Sequence, residues 1–172
     1  MNRRFVGLCF VVPVLLFGFS PPLASQGITF GAAASYGDET DFGVGPRVSL
    51  AIPAGDLGLS LVGSFNYFFP TDEEADAIGA DLSYWELNGN LVLDIPVGEG
   101  GVAPYVGAGL NYGSASGSVS GGGLTLSADD SEVGGNLLAG LRFGSTGPSP
   151  FVEGRYATAF DGQIVVAVGI QF

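Results

Sequence analysis

The stretch Gln163–Phe172, read as Gln-Ile-Val-Val-Ala-Val-Gly-Ile-Gln-Phe, constrains the fold more than any other. Ile164, Val166, Val168, Ile170 and Phe172 fall on one face; Gln163, Val165, Ala167, Gly169 and Gln171 fall on the other. A period of two is the side-chain period of a β-strand. A flat, β-branched strand is an aggregation hazard wherever its edge is left free in water. Pairing with the first strand of the chain would close a barrel and remove that edge, and lipid would accept the apolar face.

The same two-residue beat runs upstream and predicts eight strands: Ile28–Tyr36, Phe42–Ile52, Leu57–Phe69, Leu82–Ile95, Val102–Tyr112, Glu132–Phe143, Phe151–Phe160 and Gln163–Phe172. A tilted strand needs about 9–11 residues to cross a bilayer. Connections alternate in length. Pro53–Asp56, Pro96–Gly101 and Ser145–Pro148 read as tight turns. Gly37–Asp41, Pro70–Asp81 and Gly113–Ser131 are mostly longer and acidic or Gly/Ser-rich, and Asp161-Gly162 reads as a hairpin pair. Charged residues make up 13% of the chain, against about 25% in soluble domains. Low charge without a spanning helix in the strand region fits a transmembrane β-barrel.

Parity decides which face meets lipid. Arg47, Arg142 and Arg155 all fall opposite the apolar sets, as do Glu86, Asp94, Glu132 and Glu153, with Asn66, Asn88, Asn90, Asn111 and Asn136. The inverted register would place arginine in lipid, at roughly 2–4 kcal/mol each near the midplane. The charged face is therefore the lumen, and the seven charged residues are expected to form a network there. Eight strands enclose a space that side chains can fill. Gly31, Ala33, Gly43, Gly45, Gly107, Gly109, Gly134, Gly140 and Gly169 point the same way, which leaves a narrow passage or small pocket open as an alternative.

Aromatic residues gather where an interface would lie. Tyr36, Phe42, Tyr67, Phe69, Trp85, Tyr112 and Phe160 are expected near the outer loops, and Phe30, Phe143 and Phe172 near the short turns. Amphipathic rings suit the headgroup level. Pro46 has no N–H for a ladder, so a bulge or local break is expected there.

Upstream of the strands, residues 1–25 read as a signal peptide and 26–172 as the barrel domain. Arg3 and Arg4 precede an apolar Phe5–Phe19 core that is interrupted by Pro13, and small residues follow near Ala24 and Ser25. Cys9 lies inside that core, so the mature chain holds no cysteine and no disulfide.

In this strand pattern, and in a last strand that ends on Phe after alternating apolar residues, the chain resembles the small OmpA/OmpX-like outer-membrane β-barrels of bacteria. The resemblance implies an all-β, eight-stranded antiparallel up-and-down transmembrane barrel in a Gram-negative-type outer membrane. It implies outer-membrane lipid as surroundings. It also implies that Gly169, Ile170 and Phe172 belong to the signal read by the barrel-assembly machinery.

The chemistry is sparse. The chain has no histidine, which excludes Ser-His-Asp and Cys-His arrangements and histidine-based zinc sites. Enzymes among the resembling barrels lean on histidine, so none of their chemistry carries over. Glu86 and Asp94 stand about 27 Å apart along one strand, too far to act as a pair. No enzyme activity and no cofactor are expected. Acidic clusters at Asp38–Asp41, Thr71–Asp76 and Asp129–Glu132 read as a solvated outer face that offers carboxylates to divalent cations, although no loop matches an EF-hand. Three mature arginines against 17 acidic residues make nucleic acid a poor partner. Gly113–Ser131 is either a flexible loop or a hairpin above the membrane, and Val119 with Leu124-Thr125-Leu126 favours the hairpin. The expected role is structural: a surface-presenting barrel with a filled polar lumen. The alternatives are a narrow, porin-like channel or carrier for small solutes, and adhesion through the outer loops.

Overall fold

The computed structural model describes residues 27–55, 57–71, 80–96, 101–121, 124–144 and 147–172. The expected signal peptide and most of the acidic Thr71–Asp76 cluster lie outside these. Eight strands follow in order: β1 Ile28–Gly37, β2 Asp41–Ala54, β3 Leu57–Phe69, β4 Ala80–Asp94, β5 Val102–Gly121, β6 Leu124–Phe143, β7 Ser149–Ala157 and β8 Gln163–Gln171. Each pairs with its chain neighbour, and β8 returns to β1 to close the barrel. That seam is antiparallel from Gly31↔Gln171 to Gly37↔Val165. Phe30 and Phe172 exchange backbone hydrogen bonds of 3.2 and 2.7 Å below it.

The strand pairing fixes the stagger. A path across neighbours runs from Ile28 through Leu50, Leu61, Leu91, Ala108, Leu137, Tyr156 and Ile164. It returns to β1 beside Asp38, whose N–H donates to the Ile164 carbonyl. At ~3.4 Å per residue and ~4.8 Å per strand, this stagger of about ten residues tilts the strands by about 40° and sets a backbone radius of about 8 Å.

Side chains obey the parity read from the sequence. Val48, Leu61, Leu91, Leu110, Leu137 and Val166 are exposed outward, while Arg47, Asn66, Glu86, Asn88, Asn111 and Arg155 are buried inside. A contiguous exposed apolar band of this size has no place in water and fits the hydrocarbon of a bilayer.

Pro46 interrupts the ladder as expected. The β2–β3 pairs run to Val44↔Tyr67 and resume in the same register at Arg47↔Ser64. On the β1 side, Gly45 and Pro46 stay paired with Ala33 and Ala32. The break is thus confined to one edge, where the missing N–H would have pointed.

Strand ends differ from the sequence reading, most of all at the outer side. β5 and β6 continue through Gly113–Ser131 as one paired hairpin up to Gly121↔Leu124, and β4 joins them from Ala80↔Val119. A three-stranded extension therefore stands above the outer aromatics. β7 stops at Ala157, short of Phe160. The β7–β8 turn is shifted by one residue: Phe160 and Asp161 are its central pair, with φ of 52° and 66°, and Gly162 N–H donates to the Ala159 carbonyl at 3.2 Å. Positive φ at both central positions matches the twist of a two-residue hairpin.

Candidate functional site: the lumen and its outer mouth

The lumen is stacked in layers. At the end carrying the short turns, Arg142 donates to both Asp94 oxygens at 2.9 and 3.1 Å, and both side chains are partly exposed. Above this pair lies an apolar layer of Val62, Val92, Tyr105 and Leu138. On the facing wall, Arg47 donates to Glu153 at 2.8 Å, the Tyr105 hydroxyl donates to the same oxygen at 3.0 Å, and the Arg47 guanidinium lies 4.6 Å from the Phe151 ring centre.

An amide layer follows. Asn136 donates to Asn88 at 2.8 Å and to Asn90 at 3.0 Å, and Asn111 donates to Asn88 at 3.0 Å. Glu86, 0% exposed, is the hub above it. Its carboxylate pairs with Arg155 and accepts from Asn66 at 2.9 Å, Asn88 at 3.2 Å and Asn111 at 3.1 Å. Gln163 reaches the same carboxylate at 3.5 Å and the Tyr84 hydroxyl at 3.3 Å. A buried charge needs this many donors to offset its lost hydration.

Phe68, Tyr84 and Val165 cap the lumen, with Ala115 and Phe160 packed against them. Above the cap opens a cavity of about 470 Å³.

The structure brings six of the seven charged lumen residues into three pairs: Arg47–Glu153, Arg142–Asp94 and Arg155–Glu86. Glu132 stands apart. It is exposed at the outer rim and accepts from the Phe160 N–H at 3.0 Å, holding the β7–β8 turn. Its position on the strand lies above Arg47, Arg142 and Arg155, and among the described residues no cation pairs with it.

Nine of the ten aromatics expected at the interfaces face outward. Tyr36, Phe42, Tyr67, Phe69, Trp85 and Tyr112 ring the outer side, with Trp85–Tyr112 centroids 5.5 Å apart and Tyr67–Phe69 5.2 Å apart. Phe30, Phe143 and Phe172 are exposed at the other end. Phe160 departs from the expectation. The left-handed turn swings its ring over the lumen, edge-on to Tyr84 at 6.0 Å. In the last strand, Gly169 lies against the Phe151 ring, Ile170 pairs with Pro150 and Ala32, and Phe172 joins the seam.

Three of the small lumen residues lie against large inward rings. A Cβ on Gly140 would meet the Tyr105 ring at 2.3 Å, one on Gly43 the Phe68 ring at 2.6 Å, and one on Gly169 the Phe151 ring at 2.6 Å. The glycines make room for large inward neighbours, a complementarity that needs the register to be seen. The aliphatic members of the two apolar layers were not singled out in the sequence. Val62, Val92, Leu138 and Val165 share the parity of the arginines, and that parity was the available signal. Among the described residues, no three acidic, histidine or cysteine side chains converge as a metal site.

No protein-family model matches the chain, and no curated protein does either. Solved structures do. The N-terminal β-barrel domain of Pseudomonas aeruginosa OprF aligns with 86% of this chain and 96% of its own, at 15% identity and a TM-score of 0.60. Neisserial surface protein A aligns with 84% and 94%, at 17% identity and a TM-score of 0.57. Ail, the attachment invasion locus protein of Yersinia pestis, aligns with 84% and 96%, at 22% identity and a TM-score of 0.53. With its closed eight-strand topology, charged lumen and apolar exterior, the chain has the fold of the small outer-membrane β-barrels.

Proposed function

We propose that this protein is an integral outer-membrane barrel with a structural, surface-presenting role, in which the lumen seals and does not conduct. The observation that carries this reading is the filling of the lumen. Between the outer cavity of about 470 Å³ and a cavity of about 280 Å³ at the opposite end, the void beside Arg47 and Arg155 measures only about 10 Å³. That is room for about one water molecule. The exposed apolar band, the two aromatic belts and the shared fold support the location. Glu86 and Glu153 are buried and tied to arginines, so neither is poised as a general acid or base, which supports a non-enzymatic role.

The outward face is the β4–β6 extension with its acidic rim. Ail has been solved in complex with the heparin analogue sucrose octasulfate. Glu39, Asp129 and Asp130 at the mouth of this chain would repel such a polyanion, so any adhesive partner here has a different charge.

Planar-bilayer recording of the refolded barrel tests the sealed lumen. The expected result is no steady ionic conductance in the unmodified protein, and intermittent leaks after Arg155→Ala. Steady conductance in the unmodified protein would favour the narrow channel instead.

A further inference from the structure

Above the aromatic belt the polarity of the sheet reverses. Within the band that faces lipid, apolar side chains point outward and polar ones inward. On the extension, Asp81, Ser83, Ser116, Ser118, Ser127 and Asp129 take the outward parity. Leu82, Ala115, Val119, Leu126 and Ala128 take the inward parity of Glu86, Asn111 and Asn136. Leu82 and Leu126 are 41% and 77% exposed, facing the axis from outside the membrane. An apolar lining aimed at an open mouth has no role in sealing the lumen, which the side chains below already fill.

Of these, Leu82, Ala115 and Ala128 form a wall of the 470 Å³ cavity, whose floor is Tyr84, Phe160 and Gln163. The volume lies in the range of small-molecule sites, about 300–1,000 Å³. Its charged lining residues are Glu39, Asp130, which shares the inward parity, and Asp129, which borders the cavity from the outward parity, with no cation among them. All three arginines of the barrel lie deeper, each paired with a carboxylate. The cavity therefore combines apolar and aromatic walls with an uncompensated negative rim.

We propose that the outer mouth is a binding site for a small amphipathic cation, an aromatic or branched apolar body carrying one ammonium group. The body replaces water against Leu82, Ala115 and Ala128. The ammonium sits at the rim carboxylates, and the Tyr84 and Phe160 rings of the floor meet the apolar body. Binding from outside needs no movement of the sealed lumen. The proposal rests on the membrane orientation given above, with this mouth turned outward.

The test uses the full barrel in nanodiscs of zwitterionic lipid. 1-Naphthylmethylammonium is titrated and followed by naphthyl fluorescence anisotropy, with empty nanodiscs as the blank. 1-Naphthalenemethanol and 1-naphthaleneacetate are the neutral and anionic comparators. The expected result is saturable binding of one cation per barrel, about tenfold tighter than the alcohol, and weaker as salt rises. Glu39→Gln and Asp130→Asn should each weaken it about two- to fivefold, and Leu82→Arg should abolish it. Circular dichroism confirms that each variant is folded, and the two rim variants keep the test valid if Leu82→Arg is not. Equal binding of alcohol and cation, indifference to both rim substitutions, or no saturable signal above empty nanodiscs would overturn the proposal. A barrel that conducts yet binds the cation overturns only the sealed-lumen reading; one that is silent in bilayers and binds nothing overturns only this one.

Discussion

Glu86 shows how much a single inward position carries. Its carboxylate is out of contact with solvent and is held by Arg155 and three asparagines. Removing one partner of such a pair leaves the other charged and stranded. Glu86→Ala is expected to cost about 3–5 kcal/mol, measured by urea unfolding from lipid vesicles. Adding Arg155→Ala should cost less than the two single changes together, because the second removes the stranded charge. At the outer rim the logic is local. Thr71 donates to Asp41 from its hydroxyl at 2.6 Å and its N–H at 2.8 Å. These bonds hold the Asp41 carboxyl below its usual 3.8, the hydroxyl contributing most. The folded state therefore favours the charged form: the tie is complete above 3.8 and is lost as pH falls through the lower folded value. An NMR titration of the Thr71 amide should show a midpoint below 3.8, and a midpoint at or above it would contradict the geometry. Residue by residue, the arginine positions were legible because lipid forbids the other parity. Glu132 and Phe160 were not, because a turn shifted by one residue decides where both side chains go.

Strands were the most legible elements, since an alternation enforced by lipid leaves little freedom in register. Their ends were less so. The Gly/Ser-rich Gly113–Ser131 stretch carries turn composition, yet Val119 with Leu124-Thr125-Leu126 favoured a hairpin, and the two strands pair there up to Gly121↔Leu124. The Pro46 break was legible from its missing N–H. What closes around it was not: a Cβ on Gly45 would lie 1.7 Å from the Phe65 carbonyl oxygen, so the two strands meet with no side chain between them. Gly45→Val should therefore block folding. Gly89→Ala, with nothing within 4 Å of the new Cβ, should leave it intact. The folded fraction after refolding, read as the fast-migrating band on unheated gels, separates the two.

For the whole molecule, closure follows from an apolar last strand that needs a neighbour, and the pairing of β1 with β8 supplies it. The stagger and the layering inside the lumen were out of reach of the sequence, because both depend on which residues of distant strands stand side by side. Tyr105 illustrates this. Its ring fills the space above Gly140 on β6, and its hydroxyl donates to Glu153 on β7. Neither relation has a local signature.

The Arg47–Glu153 pair has a kinetic consequence. The two residues are 106 positions apart, on β2 and β7, so their bond reaches across the β1–β8 seam from within. Such a latch engages only after the first and last strands have met, late in a slow, non-local folding route. An interaction absent from the transition state governs how fast a protein opens and leaves how fast it folds unchanged. Arg47→Ala should accelerate unfolding from the membrane while the rate of refolding into vesicles stays the same, as paired stopped-flow measurements would show. The lifetime of this barrel is thus set by a bolt on the inside of its own door.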